Sequence, residues 1–185
     1  MASLWTQVNS RIELPPLPTV YLEPQWYAAY TSANHEKRVA EQLVVRSVEH
    51  FLPVYASVRR WKDRRVTLQM PLFPGYVFVR LALRDKLRVQ EVPGVARLVE
   101  FNGMPAPLPE AEIVALKAGL ADGVRAKPHP YLTAGRKVRV KSGPLAGMNG
   151  ILLRRKNGAR FVLSLELIQR SVVVETGGLE LEPVH

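Results

Sequence analysis

The sequence predicts a mixed α+β protein built as two units, an antiparallel sheet flanked by helices and then a small β-barrel of SH3-like type. Three observations predict it. Over residues 25–121, strand-like runs alternate with helix-periodic segments. Residues 122–134 hold Gly123, Pro128 and Pro130 with few apolar anchors, and read as a linker between the units. From 135 to 185 the helical period is gone, and short strand-like runs follow, separated by glycine-containing turns.

Pro15, Pro16, Pro18 and Pro24 make residues 1–24 an irregular, flexible leader. Structure is expected to begin at Gln25 with the aromatic strand Trp26-Tyr27-Ala28-Ala29-Tyr30-Thr31. Asn34 is placed to cap a helix running to Val48, whose Val39 and Leu43 share a face and whose Glu36 suits the positive end of the dipole. Phe51 to Trp61 and Val66 to Met70 form a hairpin about the charged tip Lys62-Asp63-Arg64-Arg65. After the Pro71–Gly75 corner, Tyr76 to Leu81 is nearly unbroken apolar sequence, as a central strand requires. A short helix is expected from Asp85 to Glu91, stopped by Pro93-Gly94, and a strand from Val95 to Phe101, ended by Asn102-Gly103. Pro109 then opens a helix to Leu120, with Glu110 and Glu112 near its positive end.

In the second unit, Lys137–Val140, Ile151–Arg155, Phe161–Ile168, Ser171–Glu175 and Leu179–Glu182 read as five strands. Closing them into a barrel avoids exposed sheet edges. β-branched Val172, Val173 and Val174 favour strand over helix there.

The bulk composition narrows the function. Among 185 residues, 26 Lys and Arg stand against 16 Asp and Glu, a formal charge of +10. Such an excess suits a polyanionic partner. There is no cysteine, which excludes disulfides, zinc ribbons and thiol catalysis and fits a reducing, cytoplasmic setting. The four histidines, His35, His50, His129 and His185, are scattered and form no HExxH pair. Neither a GxSxG elbow nor a phosphate-cradling glycine loop is present, so no catalytic, cofactor or metal site is expected and the chain reads as a non-enzyme. No stretch approaches the ~20 apolar residues of a membrane span, and a soluble monomer is expected.

Two segments carry a resemblance. Residues 136–151 run as a basic strand, then Gly143-Pro144, then Gly147 and Gly150 ending on the apolar Ile151, and this resembles the KOW motif. The three glycines are expected to serve tight turns or positive φ, with Pro144 stiffening the bend. Trp26-Tyr27, then His35-Glu36-Lys37-Arg38-Val39, then Pro71-Leu72-Phe73-Pro74-Gly75-Tyr76-Val77-Phe78-Val79, then Pro93-Gly94-Val95 resemble the N-terminal NGN domain of the NusG family in order and spacing. The Leu72-Phe73-Pro74-Gly75-Tyr76-Val77 block is the most specific element. Arg59 to Arg64 and Leu167 to Val172 place the likeness nearest the specialised RfaH and UpxY-like antiterminators of polysaccharide operons. A KOW-containing RNA-binding protein associated with ribosomes is the alternative, and the NGN-like block argues against it.

The resemblance implies a transcription elongation factor that holds RNA polymerase and promotes antitermination. Its N-terminal domain would lay an apolar patch on the clamp helices of the largest polymerase subunit. Tyr30, Val54, Tyr55, Phe73, Pro74 and Tyr76 match that patch by position, although a core uses these residue types as readily. A second, basic face would meet the non-template DNA strand or nascent RNA, with His35, Lys37, Arg38, Lys86 and Arg88 as candidates. Residues 51–97 hold 10 Lys or Arg against 3 Asp or Glu. The KOW barrel would recruit a ribosomal protein of the S10 type, or Rho, through Leu145, Met148, Leu167 and Ile168. Residues 131–170, with 9 Lys or Arg against 1 Glu, also suit RNA. In RfaH the C-terminal domain folds as a helical hairpin over the clamp site; the glycines and valines here predict a barrel instead.

Overall fold

The computed structural model describes residues 19–61, 64–131, 135–155, 158–175 and 180–184. The leader through residue 18, the hairpin tip at Lys62-Asp63 and the Gly177-Gly178 turn lie outside the described residues.

After a 3-10 turn at Thr19–Tyr21 come β1 (Gln25–Thr31), α1 (Glu36–Val45), β2 (Glu49–Phe51), β3 (Val54–Trp61) and β4 (Arg64–Pro71). Then follow β5 (Tyr76–Leu81), α2 (Leu87–Gln90), β6 (Val95–Leu98), β7 (Glu100–Phe101), β8 (Met104–Pro105) and α3 (Glu110–Ala121). Four strands form one sheet in the order β2-β5-β1-β6, antiparallel throughout. β3 and β4 pair only with each other, as do β7 and β8.

The main sheet is covered on both faces, which is why β1 and β5 read as continuous apolar runs. Tyr27, Ala29, Val77 and Val79 pack with Val39 and Leu43 of α1. The alternate residues Trp26, Ala28 and Phe78 pack with Ile113 and Leu116 of α3. Lys117 holds α3 in place from its flank: its Nζ lies 4.2 Å from the centre of the Trp26 ring and 3.7 Å from the Glu49 carboxylate.

Helix α1 is shorter than the sequence suggests at both ends. Asn34 does not cap it; it takes a left-handed φ of 61°, which asparagine tolerates, and His35 holds the cap position. Ser47, also left-handed at φ 52°, ends the helix and turns Val48 back into the core. The strand expected from Val95 to Phe101 is broken at Val99, whose N–H donates to the Ala28 carbonyl at 2.8 Å.

The second unit holds β9 (Ala126–His129), β10 (Arg136–Val140), β11 (Asn149–Arg155), β12 (Gly158–Leu165), β13 (Arg170–Glu175) and β14 (Leu181–Pro183). They form one antiparallel sheet in the order β14-β10-β11-β12-β13-β9. β9 lies within residues 122–134, the stretch expected to link the units. As an edge strand it pairs along β13, buries Ala126 at its start and tolerates Pro128 opposite Val172. Among the described residues no pairing joins β14 to β9, so the small barrel stays open at that seam. The only helical turn after α3 among them is the 3-10 turn Glu166–Ile168, and the strands predicted here, rather than a helical hairpin, are what forms.

α3 lies between the main sheet and the barrel. One apolar cluster runs from Trp26, Phe73 and Phe78 through Ile113 and Leu116 to Leu145, Met148, Phe161 and Val172. The approach is closest at Gly119, where an added Cβ would fall 2.4 Å from the Leu145 side chain. The two units are therefore docked through a shared core.

Candidate functional site

The motifs singled out in the first unit meet at one end of the main sheet. Gly75, at φ 85°, turns the chain into β5, and its carbonyl accepts from the Thr31 N–H at 2.8 Å. The Gly75 N–H donates to Glu36 Oε1 at 2.7 Å, so the first residue of α1 is tied to the Pro74-Gly75 corner. Gly94 completes the junction: its carbonyl accepts from the Ser32 N–H at 2.8 Å, and its Cα packs beside His35 and Val39.

This junction presents a pair of aromatic rings. Tyr30 and Tyr76 face each other across the β1–β5 register, their centroids 5.4 Å apart and tilted by 54°. The Arg97 guanidinium stands over Tyr30 at 5.4 Å, and Arg170, from the barrel, stands over Tyr76 at 5.8 Å. Both arginines gain from the negative ring faces. Neither was singled out in the sequence, because the contact depends on pairing across strands and across units.

The six residues expected to form the polymerase patch occupy different environments. Tyr30 and Pro74 are exposed, Val54, Tyr55 and Tyr76 are half-buried, and Phe73 is core at 1% exposure. Phe73 meets Phe78 edge-on at 5.6 Å, so it holds the sheet together. Tyr55 and Tyr76 pack against the cluster that includes the barrel. A cleft lined by Leu72, Phe73 and Pro74 on one side and by Pro128, His129, Pro130, Arg170 and Ser171 on the other marks the seam.

The expected partner surface of the barrel lies against that same cluster. Leu145, Met148 and Ile168 are buried and Leu167 is half-buried, so in this arrangement they are not a free surface. Gly143 and Gly147 do take positive φ, at 87° and 85°. Gly150 does not: it is needed because an added Cβ would meet the Phe161 ring at 2.4 Å and the Val162 carbonyl at 2.6 Å. Pro144 sits half-buried between the two positive-φ glycines.

The five residues expected on a basic face divide into two groups. His35, Lys37 and Arg38 stand at the start of α1, with His35 Nδ1 2.9 Å from the Ala33 carbonyl. Arg88 instead reaches the other end of α1, where its guanidinium donates to the Arg46 carbonyl. The ten residues of α1 separate the groups by about 15 Å. Lys86 is exposed beside Arg88. One cluster of five is not what forms.

The docked units also set two acids together. Burial, and next the negative charge of Glu166 in the barrel, raise the pKa of Glu112 on α3 above its ordinary value. A like-charge contact thus sits beside an otherwise apolar interface. Among the described residues no group of three or more His, Cys, Asp or Glu could hold a metal ion.

The NusG family model, described as transcription termination factor nusG, matches residues 24–117, which span the main sheet and most of α3. The transcription termination/antitermination protein NusG of Pseudomonas aeruginosa is 26% identical over 174 residues, covering 86% of this chain and 98% of that protein. The corresponding protein of Helicobacter pylori strain J99 is 28% identical over 133 residues, covering 65% of this chain and 76% of that one. The structure described as domain interaction in Thermotoga maritima NusG aligns over 89% of this chain and 95% of its own, with a TM-score of 0.50 at 20% identity, a likeness of fold. With a family model matched over half its length, together with this fold, the chain belongs to the NusG family of transcription termination/antitermination proteins.

Proposed function

We propose that the chain is a transcription elongation factor that binds RNA polymerase through the Tyr30–Tyr76 end of its main sheet. The observation that carries this is the aromatic pair itself, two rings 5.4 Å apart fixed on neighbouring strands of a sheet packed on both faces. Rigid aromatic surface of this kind suits a helical partner, since burying it costs little conformational entropy. The clamp helices of the largest polymerase subunit are the proposed partner. Lys37 and Arg38, exposed at the start of α1, are proposed to follow the non-template strand or nascent RNA.

In the docked form Arg170 and the barrel lie over part of this surface, and the barrel's own apolar residues are turned inward. Polymerase binding is therefore proposed to need separation of the units. Separation would also free Leu145, Met148, Leu167 and Ile168 for a ribosomal protein of the S10 type or for Rho. A specialised antitermination role on particular operons, such as those of polysaccharide synthesis, belongs to the proposal and is supported by the Arg59–Arg64 and Leu167–Val172 resemblances.

Interferometry with intact polymerase and with polymerase lacking the clamp helices tests this reading. Binding lost with the clamp helices, and weakened about tenfold or more in Tyr30→Ala as an anchoring aromatic would predict, is the expected result. Equal binding to both polymerases would overturn it.

A further inference from the structure

The outer half of the β3–β4 ribbon has no binding role in the site described above. The ribbon pairs with no other strand, and only its base is anchored: the Leu72 N–H donates to the Pro53 carbonyl at 2.8 Å, and Tyr55 packs against the core. Further out, Val58 and Leu68 are exposed at 64% and 38%, so little apolar packing supports the outer rungs. Those rungs carry the charge. Arg60 stands directly opposite Arg65, Arg59 opposite Val66, and Trp61 opposite Arg64. Over residues 54–71 the sequence has five Lys or Arg and one Asp. None of the ion pairs among the described residues involves Arg59, Arg60, Arg64 or Arg65, all four of which are exposed, whereas Arg80 in the main sheet has two carboxylates.

This pattern is unfavourable for an isolated hairpin. Like charges directly opposite each other destabilise a strand pair, and a two-stranded ribbon is marginal without added packing. A polyanion would remove that conflict. Side chains alternate along a strand, so Arg60 and Arg65 occupy one face of the ribbon and Arg59 and Arg64 the other. A single-strand platform offers one basic, aromatic face. Charge on both faces suits a groove with phosphates along both walls. The major groove of B-form DNA, ~12 Å wide, admits a two-stranded ribbon, whereas that of A-form RNA is too narrow for side chains to read. Arginine also binds phosphate and guanine edges in a bidentate manner that lysine cannot match.

We infer that the outer half of the β3–β4 ribbon is a binding element for duplex DNA, entering the major groove with Arg60 and Arg65 on one side and Arg59 and Arg64 on the other. It is a different surface from the α1 residues proposed for the displaced strand, and it does not depend on the polymerase reading.

Fluorescence anisotropy of the full chain with a short mixed-sequence DNA duplex, its single strand and the matching RNA duplex tests the inference across a salt series. The DNA duplex is expected to bind most tightly. Replacing all four arginines with Gln is expected to weaken duplex binding by tenfold or more and to reduce the slope of log K against log salt by about 3 to 4, near 0.9 per lost phosphate contact. Phenylglyoxal footprinting of the unaltered chain gives a readout independent of how the variant folds: duplex DNA should protect these four arginines. Preference for single-stranded DNA or RNA duplex, an unchanged salt slope in the Gln variant, or unprotected arginines at saturating duplex would each overturn it.

Discussion

The Glu36 carboxylate accepts a hydrogen bond from the Gly75 N–H at 2.7 Å, joining two sequence motifs 39 positions apart. Glu36 is only 5% exposed and sits in the first turn of α1, so the helix dipole favours its charge there. The bond fixes the corner that carries Tyr76 against the strand that carries Tyr30. Glu36→Ala should lower stability by about 1–3 kcal/mol, because it leaves the Gly75 N–H without its acceptor. Glu36→Gln keeps a carbonyl acceptor and should lose less. Urea denaturation checks both; equal losses would mean that the negative charge, which both variants lack, matters rather than the hydrogen bond.

The alternation of strands and helices, the two-sided burial of β5 and the strand-rich second unit were legible, because each rests on local periodicity and turn residues. The docking of the units was not, since it is a contact between side chains distant in sequence. Two signals for it were nevertheless present. α3 is apolar over much of its circumference, as a helix packed on two sides must be, and Gly119 stands inside it. β9 was hidden by Pro128 and Pro130, which signal a loop but are tolerated on a sheet edge. That Phe73 and Ile168 are buried in the docked form was not legible either, because residue type does not distinguish an aromatic or aliphatic core from a binding patch.

Gly119 offers a wedge between the units. In an isolated helix, Gly→Ala would be favourable by about 1 kcal/mol. Here the added methyl would fall 2.4 Å from the Leu145 side chain. Gly119→Ala should therefore leave the first unit folded while loosening the docked barrel. Hydrogen exchange should rise at residues 145–148 and 166–170, and polymerase binding should strengthen. Unchanged exchange would show that Leu145 simply moves aside.

Arg88 is expected to act on stability before it acts on any nucleic acid. Its guanidinium satisfies the Arg46 carbonyl just beyond α1, one of the acceptors a helix end leaves open. Arg88→Ala should cost roughly 0.5–1 kcal/mol, reduced from a buried bond's worth by solvent exposure, while Lys86→Ala should stay within about 0.5 kcal/mol of the parent. Thermal unfolding of both variants separates the roles. Equal stability, with a DNA affinity loss confined to Arg88→Ala, would return Arg88 to the nucleic-acid face.

The Glu112–Glu166 contact makes docking sensitive to pH, and the sign follows from its cause. In the docked form, burial and then the Glu166 charge disfavour ionised Glu112, raising its pKa above the ordinary 4.5. Separating the units removes Glu166 and part of the burial, so the value falls back. Between the two values the docked form binds more protons, and docking strengthens as pH falls through that window and weakens as pH rises through the raised value. Glu112→Gln should tighten docking at neutral pH and flatten the dependence. X-ray scattering from neutral pH down to the ordinary carboxylate range should show the parent chain becoming more compact and the variant compact throughout. Expansion of the parent on acidification would mean that another contact controls the interface.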